Sequence, residues 1–314
     1  WVVEDYGCAQ VSLNLTHFKV TPPHEVLEAA RDLARARGMI VTGSEIVGVV
    51  PFAAMLDAGR FYLRRMQKST GVPSRDIITT AVQAMGLHDV ASFDIDKKVI
   101  GLPIAGGPLA KLRVGDFVDE VSRDTPAPGG GSIAALAGAL GAALASMVAN
   151  LSVGKGEFDE RYDDLCALAE KAQAAKDELV QAIDADTEAF NEVIAALRMA
   201  KDTPDQVAVR ARAIRAGYKS AARVPLRTAQ LCRQVMDLCQ AAADIGNRAV
   251  MSDAGVGALM AYAGVQGAIH NVRINLPHTK DDAFIDSMRS TLDQLLGESK
   301  ALCAAIQQQV EDSF

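Results

Sequence analysis

Three consecutive glycines, Gly129, Gly130 and Gly131, followed by Ser132, close the run Pro126-Ala127-Pro128-Gly129-Gly130-Gly131-Ser132, just ahead of a long alanine-rich stretch. Glycine lets backbone N–H groups approach a ligand without interference from a Cβ. A helix beginning here would aim its unpaired donors and the positive end of its dipole at an anion. No Lys-Ser or Lys-Thr pair follows Gly131, so this is not a Walker nucleotide loop. The same residues would equally serve as a tight entry turn that permits close helix packing.

A second signal lies further along. Stepping by seven from Leu165 gives Ala172, Leu179, Asp186 and Val193, and the companion positions Leu168, Ala175, Ala182, Ala189 and Ala196 are all apolar. Asp186 therefore occupies a seam position that faces a helical core. Asp184, turned by roughly 200° on the same helix, is expected to face elsewhere. A carboxylate on a seam is costly unless paired or protonated. Burial raises its pKa, as a general acid working near neutrality requires. A structural Asp satisfied by a helix end or an arginine is the competing reading.

Polar groups for substrate binding follow at other spacings. Arg212, Arg215, Lys219, Arg223 and Arg227 recur at intervals of three and four, a cationic line for a substrate carrying carboxylates or a solvated helix face. Between Asp253 and Leu276, Gly255, Gly257, Gly264 and Gly267 sit among alanines, which implies close approach of another backbone or a flat ligand. Asn247, Asn271 and Asn275 offer both donor and acceptor to amide-like edges, or cap helix ends. The five histidines show no metal-ligand spacing, so no metal is expected, although His270, among small residues, is a core or pocket candidate.

These groups need elements to hold them. In the first hundred residues, alternation of Val11, Leu13 and Leu15 predicts a strand and Met39–Thr42 a second, with helices after Thr21-Pro22-Pro23, over Pro51–Met66 and over Ser74–Met85. Gly86–Ala110 reads as a connection with a domain boundary near Gly101–Gly107. Beyond it strand signals vanish. A short helix through Val114–Val121, the alanine-rich helix to about Ser152, Asp159–Leu197, a helix capped by Thr203-Pro204 and interrupted at Pro225, one capped by Ser252-Asp253, and Asp281–Glu311 make a bundle. The expected class is α+β overall: a small α/β segment over 1–100, then an all-α helical bundle over 108–314.

Composition narrows the function. Hydrophobic residues make up 49% and charged residues 23%, ordinary for a globular protein, and aromatics only 5%, so Ala, Leu, Val and Ile must fill the core. Residues 1–100 are balanced in charge, and the net −7 falls after them. No basic excess exists for nucleic acid. No run suits a membrane span better than a buried helix, the stretch from Ile133 to Val153 coming nearest. Five scattered cysteines without CxxC spacing suit free thiols in the cytoplasm. The chain opens without Met on strand-like sequence, as a fragment of a longer protein would.

At this point the motifs combine. Pro126–Ser132 with Ala134–Asn150, Asp184-Ala-Asp-Thr-Glu-Ala-Phe190, Val224-Pro-Leu226, Gly246-Asn247, Ser252-Asp253-Ala254 and Asn271-Val-Arg-Ile-Asn-Leu276 resemble the cyclodeaminase domain of the formimidoyltransferase-cyclodeaminases. Ala9–Thr16 and Thr42–Gly48 resemble the C-terminal subdomain of the transferase half. The resemblance implies conversion of 5-formimidoyltetrahydrofolate to 5,10-methenyltetrahydrofolate and ammonia, in histidine degradation, with a folate, polyglutamylated or not, as substrate and no tightly bound cofactor. It implies a cytoplasmic homodimer within a larger homo-oligomer. It places the family's cyclodeaminase Asp on Asp186, and gives substrate-binding roles to Gly129, Gly130, Gly131, Ser132, Asn247, Asp253, Asn271, Asn275 and Arg223. The family's transferase base is a His of an N-terminal subdomain expected to be lacking here, so transferase activity is expected of the full-length protein but not of this chain. The competing functions are a methenyltetrahydrofolate cyclohydrolase and a non-catalytic helical assembly module.

Overall fold

The structure, a computed structural model, describes residues 2–4, 7–89, 91–103 and 106–314. It divides into two compact units, Trp1–Pro103 and Ile104–Phe314. Ile104 and Ala105, inside the expected boundary, lie outside the described residues. The class is α+β overall, with a helical C-terminal bundle.

In the first unit β1 (Val2–Val3) pairs antiparallel with β2 (Cys8–Ala9), and α1 (Pro23–Arg35) follows with Pro in its first turn. Next come β3 (Val50–Pro51), α2 (Phe52–Arg65), α3 (Ser74–Ala84), α4 (Ile95–Lys98) and β4 (Val99–Ile100), with β3 parallel to β4. Met55, Ala58, Ile78, Val82 and Met85, from the inner faces of α2 and α3 and the end of α3, form its core. The two strands expected at Val11–Leu15 and Met39–Thr42 do not form, and Val11 and Ile40 are 78% and 88% exposed. A period-2 pattern needs a neighbour to accept and donate its ladder bonds. Among the described residues none runs beside either segment. The expected connection Gly86–Ala110 in turn contains α4 and β4, because Asp94 caps a short turn by accepting from the Asp96 N–H.

The second unit is built from α5 (Val114–Val121), α6 (Gly130–Ser152), α7 (Tyr162–Leu197), α8 (Pro204–Ile245), α9 (Met251–Asn275) and α10 (Asp282–Glu311). α6 carries no charged residue. By length and composition it could cross a membrane, but two-thirds of it is buried in the bundle, where α7, α8 and α9 pack around it. Its partner α9 runs antiparallel and very close. A Cβ at Gly141 would lie 2.7 Å from the Gly257 carbonyl oxygen, and one at Gly264 would lie 2.9 Å from that of Ala134. The small residues of α9 thus admit another backbone rather than a flat ligand. Leu165, Leu179, Met236, Ile269, Leu292 and Ile306 fill the remaining space, each worth roughly 1.5–3 kcal/mol.

Helix ends are set by side chains. Thr203 and Gln206 form a reciprocal capping box at α8. Ser252 and Asp253 do not cap α9. They lie inside its first turn, and α9 has no side-chain cap; Asn247 instead caps the short 3-10 turn Arg248–Val250 ahead of it, its Oδ1 accepting from the Ala249 N–H 2.9 Å away.

α8 is not interrupted at Pro225 but runs through it. Proline there removes the N–H that would bond the Ala221 carbonyl four residues back. Asn275 replaces it: its Nδ2 donates to Ala221 O at 3.0 Å and to Asn271 O at 2.8 Å. A helix keeps its course through proline when a neighbour supplies the missing donor.

All five cysteines are free, and four are buried. Burial pushes the Cys232 and Cys239 thiols up to about 12, so both are inert packing groups.

Candidate active site

Asp186 sits a little past the middle of α7, half-buried, with its carboxylate against the first turn of α6. The contact is so close that a Cβ on Gly131 would overlap both carboxylate oxygens. The Ser132 backbone N–H, one of the unpaired donors of that turn, bonds the carboxylate. Two effects oppose each other here. Burial pushes the carboxyl above its ordinary 3.8, and the Ser132 hydrogen bond pulls it down; burial is the larger, so the group is held above the usual carboxylate range.

The remaining walls come from three helices. The Ser132 hydroxyl donates to the Ile183 carbonyl at 2.7 Å and lies 3.4 Å from the Thr187 hydroxyl, which ties α6 to α7 on either side of Asp186. Asn271, near the end of α9, donates to Gly267 O at 2.8 Å. A Cβ on Gly130 would stand 3.1 Å from its Nδ2 and 3.7 Å from its Oδ1, so the amide lies beside the glycine turn. Gly130 is exposed and Asn271 half-exposed, so the group is open to a ligand from solvent. Gly129 is the extended N-cap, and Gly131 and Ser132 are buried. The glycines are therefore not a free loop but a helix start pressed onto a carboxylate. Such a place can give a proton to, and take one from, a substrate that reaches the carboxyl from the exposed side of Gly130.

The structure does not bring every expected residue here. Asn247 donates its backbone N–H to the Ser152 hydroxyl at 2.7 Å, at the opposite end of α6 from Gly130. The 23 residues of α6 separate those ends by about 34 Å. Asp253, in the first turn of α9, is likewise at the far end from Asn271. Asn275 is near, but both its amide protons serve backbone carbonyls at the proline. Arg223 is exposed, with its guanidinium 5.4 Å from the centre of the Phe284 ring on α10. The cationic line is not one track: Lys219 pairs with Asp281 at 2.5 Å, before α10, and Arg227 with Glu178 at 2.7 Å on α7. Each four-residue step turns by about 40°, so the line spreads over about a third of the circumference of α8. His270 is exposed, not in the core.

Asp184 does face away from Asp186, but it is the more buried of the two, at 7% exposure. Its carboxylate accepts from the backbone N–H groups of Gly107, Leu109 and Ala110 at 3.0, 2.8 and 3.2 Å. No side-chain pattern in residues 106–110 announces that role. Asp184→Ala is expected to strand those donors and destabilise the bundle by roughly 2–4 kcal/mol, read by urea unfolding. A loss under about 0.5 kcal/mol would show that water satisfies them instead. Thr187 and the stack of Tyr218 on His278, centroids 4.5 Å apart, were also not singled out from sequence. Among the described residues no group of three His, Cys, Asp or Glu side chains is placed to hold a metal.

The chain is similar to several known proteins. The sequence model of the Formiminotransferase-cyclodeaminase family matches residues 113–294, and that of the Formiminotransferase domain matches residues 1–105. The second match overturns the expectation that the transferase subdomain is lacking. Formimidoyltransferase-cyclodeaminases of Rattus norvegicus and Sus scrofa are 37% and 36% identical over 98% and 99% of the chain, which spans 57% and 58% of their lengths. The chain thus covers little more than half of these curated relatives. A methenyltetrahydrofolate cyclohydrolase of Methylorubrum extorquens is 41% identical over 62% of the chain and 94% of its own length. The crystal structure of formiminotetrahydrofolate cyclodeaminase from Thermotoga maritima superposes with a TM-score of 0.54 at 26% identity, covering 65% of the chain and 96% of that protein.

Proposed function

The chain belongs to the formiminotransferase-cyclodeaminase family, and on that premise we propose that its helical unit converts 5-formimidoyltetrahydrofolate to 5,10-methenyltetrahydrofolate with release of ammonia. The observation that carries the reading is the Asp186 carboxyl, raised by burial and set against the α6 N-terminus. N10 of the folate attacks the carbon of the formimidoyl group, whose terminal nitrogen is protonated, and forms a five-membered ring. The Asp186 carboxyl gives its proton to the departing nitrogen, which leaves as ammonia when its bond to carbon breaks. The carboxylate then takes the proton that N10 sheds, so the acid is regenerated without a net proton change. A group that donates and then accepts in one cycle works best with a pKa close to the operating pH.

Gly130, exposed at the helix start with the Asn271 amide beside it, positions the substrate, while the buried Gly131 and Ser132 hold the Asp186 carboxylate. The folate is substrate, and this chemistry calls on no bound cofactor. The unit Trp1–Pro103, in this reading, is the α/β part of the transferase half. α6 leaves Ile133, Leu140 and Leu151 exposed, and α9 leaves Val256 and Leu259. Apolar residues along two helices packed on each other support a homo-oligomer built through this face. The free thiols support a cytoplasmic location.

The Methylorubrum relative favours a second reading, hydrolysis of the methenyl product. One assay separates them. Purified protein is given 5-formimidoyltetrahydrofolate while ammonia and methenyl absorbance are followed together. The proposal expects both to rise in equal amounts. Turnover of added 5,10-methenyltetrahydrofolate alone, without ammonia from the formimidoyl substrate, would establish the cyclohydrolase. Activity on neither would leave the bundle as an assembly module.

A further inference from the structure

Tyr218, on α8, packs against Ala189, Val193 and Ala221. Ala189 and Val193 follow Asp186 on α7 by about one and two turns, so they continue its face of that helix. Two contacts fix the level of α8 there. Glu178 pairs with Arg227, and a Cβ on Gly217 would stand 3.4 Å from the Val193 Cα. Asp186 lies between those points on α7, which brings it level with the stretch of α8 around Ala221. The Ala221 carbonyl accepts from Asn275, one turn beyond the Asn271 amide that lies beside Gly130. Three residues on, in the short turn Leu276–Thr279, His278 lays its ring on Tyr218, with centroids 4.5 Å apart and planes 23° from parallel. The aromatic pair therefore borders the Asp186 site, roughly one to two helical turns from the carboxyl.

The pair has a free face and free polar groups. Tyr218 is half-buried and His278 exposed, and a stack covers only one face of each ring. Among the described residues, neither the Tyr218 hydroxyl nor an imidazole nitrogen of His278 makes a hydrogen bond. A flat ring bearing a carbonyl completes such a platform, because it can stack on the open face while its oxygen accepts from the free O–H or N–H. On the proposed substrate the pterin carries N5, and an aryl ring hangs on N10 and continues through a carbonyl into the glutamate. The stack is more exposed than the Asp186 carboxyl, which suits the outer of these two rings.

We propose that Tyr218 and His278 are substrate-binding residues that stack on the aminobenzoyl ring of the folate. The proposal rests on the cyclodeaminase reading of the Asp186 site and adds to it the surface that holds the outer half of the substrate.

The test compares wild type with Tyr218→Leu, which keeps an apolar side chain against Ala189 and Val193, and with His278→Ala, at an exposed position. Calorimetric titration with 5-formyltetrahydrofolate, in which oxygen replaces the departing nitrogen, reads binding without ammonia release. Each variant should bind about tenfold more weakly. With 5-formimidoyltetrahydrofolate, KM should rise by a similar factor while kcat stays within about threefold of wild type. The compound 6-methyltetrahydropterin, which lacks the aryl ring, should inhibit wild type and both variants alike. Wild-type affinity in either variant, or a fall in kcat at unchanged KM, would overturn the proposal and leave the cyclodeaminase reading standing. Weaker inhibition of the variants by the pterin would place the stack on the other ring and equally overturn it. Failure of the wild type to bind 5-formyltetrahydrofolate would overturn the folate reading itself, and this proposal with it.

Discussion

Asp186→Asn is expected to lower the rate of ammonia release by about 10²–10⁴-fold while leaving the protein at least as stable at neutral pH. The loss of rate follows from the loss of a transferable proton at an unchanged shape, since the Asn carbonyl oxygen can still accept from the Ser132 N–H. The stability follows from linkage. The folded carboxyl is held above its ordinary 3.8 by burial. Between 3.8 and the raised folded value the native state keeps a proton that the unfolded chain has released, so stability falls as pH rises through that window. The cost is fully present above the folded value and absent below about 3.8. A neutral Asn does not incur it. The gain of the variant over wild type should therefore be largest at neutral pH and shrink on acidification, read as the difference in unfolding midpoint at a series of pH values. A variant that is less stable than wild type at pH 7, or equally fast, would contradict this assignment.

Gly131→Ala is the second large effect. In the interior of an exposed helix the same change adds about 1 kcal/mol of stability through helix propensity. Here the new Cβ would overlap the Asp186 carboxylate. Either the carboxylate turns away, or the first turn of α6 shifts and the bundle loses roughly 1–3 kcal/mol to overpacking. Both routes break the pairing of acid and helix start, so activity should fall at least about a hundredfold whichever occurs. Measuring rate and unfolding together tells the routes apart. Full activity in Gly131→Ala would mean that the carboxylate does not work from the position described.

What the sequence reveals about this site, and what it hides, follows from which groups carry the signal. Asp186 was legible because every other position of its seam from Leu165 to Val193 is apolar, so the carboxylate stood out against a regular pattern. The glycine run was legible as a helix start, but not as the surface on which that carboxylate lies, because the contact joins residues 55 positions apart. Asp184 was harder still: its partners are backbone N–H groups, which every non-proline residue has.

Asn275 was read as a ligand group, yet its donors belong to the proline four residues after Ala221. The signal was present, since a proline inside a helical pattern always leaves one carbonyl to be satisfied. It did not say which residue answers. The place of Asn247 and Asp253 among shared motifs points to the site, but helix length sets Asn247 about 34 Å and Asp253 about 27 Å from it. The helices of the bundle were read nearly to their ends, because their 3.6-residue period is satisfied within each helix. The strands of the first unit were misread, because alternation such as Val11, Leu13 and Leu15 becomes a strand only beside another one.

The central claim is that the carboxyl of Asp186 keeps its proton above the usual carboxylate range because burial outweighs the Ser132 hydrogen bond. The most direct test is a pH titration of carboxyl ¹³C resonances in protein labelled at Asp, with the Asp186 signal assigned by its disappearance in Asp186→Asn. The account predicts a resonance that titrates clearly above 3.8. An Asp186 resonance that titrates at or below 3.8 would contradict it.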